Sequence, residues 1–226
     1  ARSLDYLQDS DADGVADVNE TLMGTDPNSA SSTPGSSTID VLALYSEGVT
    51  TLYNGDPDTR IDHIMAFSNQ VLSDSGVDIS LRLVDSRELA MDETRTIDDW
   101  LDDANNRANG FASLDSLRDE TGADLIVLYR PFDDGNTCGF AAIGGFEKRG
   151  DFSNSQNLSR AHTPVFIDAD SCEDNTTMHE FGHLMGLGHS FKQDETGTFD
   201  WSRGHGVDDS FSTIMGYGTV FNTTEV

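Results

Sequence analysis

The sequence predicts an α/β (α+β) fold, a mixed sheet with helices packed on it and a short strand at one edge. Three observations carry that expectation. From Ile39 onward, apolar runs of strand length alternate with stretches whose apolar residues recur at helical spacing, the order from which layered sheet-and-helix domains are built. A short glycine-bearing apolar segment late in the chain, "CGFAAIGGFE", suits an edge strand. The length of 226 residues fits one sizeable domain with a small appendage, and no internal repeat is visible.

The appendage comes first. Residues 9–20, "DSDADGVADVNE", place Asp9, Asp11, Asp13, Gly14 and Glu20 on the pattern D-x-D-x-D-G-x5-E. A hard cation takes oxygen ligands, so the spacing predicts a structural Ca2+ site. Its ligands are the side chains of Asp9, Asp11 and Asp13, the carbonyl of Val15, Asp17 directly or through water, and Glu20, with Gly14 making the turn. Gly24 and "TDP" stop the chain within about a turn of Glu20, too soon for the exiting helix of an EF-hand. The segment therefore resembles the isolated calcium loops of thrombospondin type 3 repeats; the alternative is an acidic disordered tail. Residues 27–38, "PNSASSTPGSST", have no apolar periodicity and read as a linker. The expected organisation is a calcium-loop segment at 1–26, a linker at 27–38 and a main domain at 39–226.

Within that domain "IDVLALY" is a strand. "TRIDHIMAFSNQVLSDSG" carries Ile61, Ile64, Val71 and Leu72 at helical spacing and stops at Gly76. "VDISLRLVD" alternates Val77, Ile79, Leu81 and Leu83 as a half-buried strand does. "TIDDWLDDANNRANG" is a helix with a threonine cap and acids in its first turns. "SLDSLRDETG" is a helix ended by Gly122, and the strands "ADLIVLY", "CGFAAIGGFE" and "TPVFID" follow. "NTTMHEFGHLMG" is the last helix, capped by Asn175 or Thr176.

Forty-one acidic residues against thirteen basic ones give a formal charge of −28, which argues against nucleic acid and anionic membranes as partners. No apolar run approaches the ~20 residues of a membrane span. The chain opens at Ala1 without a charged-then-apolar leader, so a mature secreted product is expected. In that setting Cys138 and Cys172 most simply pair; two buried free thiols are the alternative.

Three of the six histidines fall within residues 179–189, "HEFGHLMGLGH". On a helix, His179 and His183 project from one face and can grip a single ion. Glu180, offset by about 100° around the helix, stays beside the metal without ligating it and can take a proton from water. Gly186 breaks the helix and the chain returns His189. Three nitrogen ligands leave one position of a zinc ion open for hydrolytic chemistry.

This stretch resembles the metzincin metalloprotease signature H-E-x-x-H-x-x-G-x-x-H at every fixed position. The resemblance spans roughly residues 39–217, and its specific part is 179–217. It implies a metzincin-like fold, a mixed twisted sheet with an antiparallel edge strand, a zinc helix and a methionine turn, the turn supplied here by "STIMGYG" with Met215 as a structural base under the ligand rings. Ser190 after the third histidine resembles matrixins. Tyr217 resembles astacins and serralysins, where the tyrosine is a fifth ligand or an oxyanion donor. Similarity of the regions around 125–145 and 171–189 to bacterial reprolysin-like peptidases implies a Cys138–Cys172 disulfide. No serralysin-type calcium repeats and no cysteine-switch segment occur.

The resulting expectation is a secreted, monomeric, zinc-dependent endopeptidase acting on protein or peptide substrates, with Glu180 as general base and calcium in a structural role. Two alternatives are a calcium-dependent adhesion module with a purely structural zinc, and a zinc hydrolase acting on cell-wall peptides. Glu180 argues against the first, since a closed structural site has no use for a carboxylate that does not bind the metal.

Overall fold

The computed structural model describes residues 8–12, 17, 20–21, 24–32, 37–131, 138–145, 165–168, 173–193 and 197–226. The elements are β1 (Ser37–Tyr45), α1 (Glu47–Leu52), α2 (Pro57–Asp74), β2 (Ile79–Glu88), α3 (Ile97–Asn106), α4 (Leu114–Thr121), β3 (Leu125–Arg130), β4 (Gly139–Phe140), β5 (Val165–Asp168), α5 (Thr176–Leu184), β6 (Gly206–Val207) and β7 (Phe211–Ser212). The first five strands form one sheet in the order β2-β1-β3-β5-β4. Its first four strands run parallel, and β4 pairs antiparallel with β5 at the edge. The mixed sheet with an antiparallel edge matches the expectation from sequence.

Alternation along β1 divides the core into two layers. Val41 and Ala43 face one side, where Ile61, Ile64, Met65 and Leu72 of α2 and Met178, Phe181 and Leu184 of α5 pack. Leu42 and Leu44 face the other side, against Ile97, Trp100 and Ala104 of α3 and Leu114 of α4. β1 and β3 are thus covered on both faces, which is why they read as near-continuous apolar runs rather than alternating ones. Trp100 and Phe111 meet edge to face at 6.4 Å, and the buried Arg130 guanidinium lies 5.2 Å from the Trp100 ring centre.

Several local signals act as anticipated. Thr96 caps α3 in a full capping box with Asp99. Gly122 ends α4 at φ 70°, a left-handed conformation that costs glycine little. Other boundaries differ. α2 begins at Pro57, because Asp56 caps it and proline is preorganised for a first turn. Val77 lies outside β2 and is 41% exposed, since the turn after α2 runs through it before pairing starts. α1 is short and was not anticipated. Among the described residues the edge strand is paired at Gly139 and Phe140 alone, against Ile167 and Phe166. Among the described residues no helix is long and apolar enough to cross a membrane.

Candidate metal centre and active site

One face of α5 is committed to the core by Met178, Phe181 and Leu184. That packing turns His179 and His183 the other way, with ring centres 4.8 Å apart. Asn175 occupies the N-cap position, although its side chain makes no cap hydrogen bond. After Leu184 the chain reverses at Gly186, whose φ of +96° suits glycine. The segment from Thr198 to Gly204 then clamps the reversal. Thr198 N and Ser202 Oγ donate to the Gly186 carbonyl at 2.7 and 2.9 Å, Gly188 N donates to Ser202 O at 2.9 Å, and Gly204 N donates to Gly188 O at 3.0 Å. His189 is carried back over the helix by these bonds.

The three Nε2 atoms converge. That of His189 lies 3.1 Å from His179 Nε2 and 3.2 Å from His183 Nε2. The opposite nitrogens settle the tautomers: His179 Nδ1 donates to the Ile214 carbonyl at 2.7 Å and His183 Nδ1 to the Leu187 carbonyl at 2.8 Å. A carbonyl can only accept, so Nδ1 carries the hydrogen in both rings and each Nε2 presents a lone pair. Lone pairs facing one another at such distances repel unless a cation lies between them. Zinc–nitrogen bonds of about 2.05 Å in a tetrahedron separate their ligand atoms by roughly 3.3 Å, close to the spacing here. Among the described residues these three histidines form a group close enough to share one ion, and their donor set fits zinc.

The model of metallo-peptidase family M12 matches residues 35–226. The chain belongs to that family. Peptidyl-Asp metalloendopeptidase of Pseudomonas aeruginosa is similar to it, 34% identical over 210 residues, covering 83% of this chain and 33% of that protein. A protein of the same name from Stenotrophomonas maltophilia is 27% identical over 195 residues, covering 83% of this chain and 43% of its own length. The chain thus spans under half the length of either relative. A solved chaperone–substrate complex contains a similar fold, with a TM-score of 0.62 at 20% identity over 81% of this chain and 28% of that one.

Around the M12 tripod, Met215 is buried beneath the zinc helix. A Cβ added at Gly182 would lie 2.4 Å from its Sδ, so the sulfur rests directly on the helix backbone. The Tyr217 hydroxyl lies 3.2 Å from His189 Nε2, and its ring stacks on that of His179 at 5.9 Å. Gln193 Oε1 accepts from Ser190 Oγ and from Tyr217 N, tying the methionine turn to the residues after His189. Glu180 is 5% exposed, and burial pushes its carboxyl up to about 8. Its carboxylate lies against the edge strand at Gly139.

The calcium-loop residues are described in part. Asp17 accepts from Ser10 N and Oγ at 2.7 and 2.6 Å, its own N–H donates to Gln8 O at 2.8 Å, and Glu20 is fully buried. Asp13 and Val15 lie outside the described residues, as does Cys172; Cys138 immediately precedes β4. Reading the sequence missed one cluster. Asp174, just before α5, pairs with Arg60 at 2.6 Å and with His63 Nε2 at 3.0 Å, both on α2. The hydrogen bond from His63 and then that from Arg60 hold its carboxyl below the ordinary range. Nothing local announces that pairing, because the partners sit on another helix.

Proposed function

We propose that this chain is the catalytic domain of a secreted zinc endopeptidase. The observation that carries the reading is the convergence of three imidazole Nε2 atoms beside a buried carboxylate that has no place among the ligands. His179, His183 and His189 hold the ion. Bound there, zinc supplies a Lewis acid that acidifies water and polarises the scissile carbonyl. Glu180 accepts a proton from the attacking water and returns it to the leaving amine. The Tyr217 hydroxyl donates a hydrogen bond to the developing oxyanion. An extended substrate adds alongside β4, which is the edge of the sheet among the described residues. The relatives' name supports a preference for peptide bonds at aspartate.

The domain division at 1–26 and 27–38, a structural Ca2+ on the first segment and a Cys138–Cys172 disulfide complete the proposal. Asp9, Asp11, Asp13, Val15, Asp17 and Glu20 would hold the calcium, supported by the ligand spacing and by the closure of the loop through Ser10 and Asp17. The disulfide is supported by the absence of any free cysteine among the described residues.

The test is hydrolysis of denatured casein with and without a zinc chelator, beside a Glu180→Gln variant assayed for metal. Wild type should cut, chelation should abolish cutting, and the variant should keep its zinc while losing about 10²- to 10⁴-fold in rate. Mass analysis of the products should place the cuts at aspartate. A zinc-loaded wild type that cuts nothing would sink the proposal.

A further inference from the structure

β4 meets the proposed base at a glycine. A Cβ built on Gly139 would lie 2.6 Å from Glu180 Oε1, 2.8 Å from its Cγ and 3.0 Å from its Cδ. Carbon atoms in contact rest at about 3.5–4.0 Å, so one of the two residues would have to move. The strand is held by antiparallel pairing of Gly139 and Phe140 with Ile167 and Phe166. Its continuation is tied to the zinc helix by Gly144 N donating to His183 O at 2.9 Å. The helix is held by the fully buried Phe181 and its core neighbours. What remains free to shift is the Glu180 side chain.

Backbone conformation does not demand glycine here, because Gly139 is not among the residues with positive φ. Space does. We propose that Gly139 is a positioning residue for Glu180: its missing side chain leaves the room in which the carboxylate stands, and its backbone roofs that carboxylate beside the histidine tripod. The inference rests on the reading of Glu180 as general base.

The test combines Gly139→Ala, Glu180→Asp, the double variant and Glu180→Gln, each loaded with zinc and assayed on a casein-derived peptide. Gly139→Ala should keep its zinc and lower kcat about a hundredfold with KM little changed, as misplacement of a reacting group by an ångström does. Its crystal structure should show the Glu180 carboxylate displaced and the three Nε2 atoms in place. Aspartate is one methylene shorter and leaves room at residue 139, so in the Glu180→Asp background the same alanine should cost no more than about twofold.

Equal costs in both backgrounds, a raised KM with kcat intact, or an undisplaced carboxylate would overturn the proposal. If Gly139→Ala fails to fold while the double variant folds, the clash is confirmed; if neither folds, the glycine serves the strand and the proposal is lost. Full activity in Glu180→Gln would instead overturn the assignment of the base, whatever Gly139→Ala does.

Discussion

At Glu180 the physical problem is a carboxylate taken out of water with no cation beside it in the metal-free chain. Desolvation favours the protonated form and raises its pKa from the ordinary 4.5 to about 8. The folded chain then holds a proton that the unfolded chain has already lost. The stability associated with that proton is fully present below about pH 4.5 and declines until about pH 8. Thermal melts of the chelated protein should therefore show Tm falling across that window, and Glu180→Gln should remove this part of the slope. An unchanged slope would mean that Glu180 is hydrated in solution. His179, Glu180 and His183 were legible in the sequence because helical geometry converts their spacing directly into a shared face. The Ile214 and Leu187 carbonyls that orient the imidazoles were not, since any residue type carries a carbonyl.

Between elements, the placement of α5 depends on apolar packing and on one polar cluster. Met178, Phe181 and Leu184 bury against α2, and Asp174 ties the approach of α5 to Arg60 and His63. The Asp174 side chain is 37% exposed, so solvent screening limits its worth to about 0.5–1 kcal/mol. With its folded pKa lowered, the contribution is present above the ordinary carboxylate value of 3.8 and lost as pH falls through the folded value. Asp174→Asn should lower Tm by roughly 1–4 °C at pH 7, and the difference from wild type should fade below about pH 3.8. A difference that persists in acid would assign the effect to packing. The helices and strands themselves were largely legible, because apolar periodicity, the Thr96 cap and Gly122 are local signals. The brevity of β4 was not, because pairing depends on what β5 offers rather than on the apolar character of "CGFAAIGGFE".

For the whole molecule, both core layers are assembled from Ile39 onward, and the M12 match begins at residue 35. Among the described residues the acidic first segment contributes no member to either layer. Removing residues 1–34 should leave the main unfolding transition and casein hydrolysis within about twofold of the full chain, as for sites that share no partners. A collapse of either would show that the first segment supports the catalytic domain. The formal charge of −28 adds self-repulsion that salt screens, so this comparison belongs at fixed ionic strength.

By itself the sequence determined the order of strands and helices apart from α1, β6 and β7, the histidine tripod with its adjacent carboxylate, and the oxygen-ligand spacing of the first segment. Each is a local pattern that a regular backbone translates into direction. Tertiary structure alone decided that Ile214 orients His179 from 35 residues away, that Asp174 meets His63 from 111 residues away, and that Gly139 leaves room for Glu180. Those meetings depend on sheet register and on helix packing, which are set by the whole core and by no single stretch of chain.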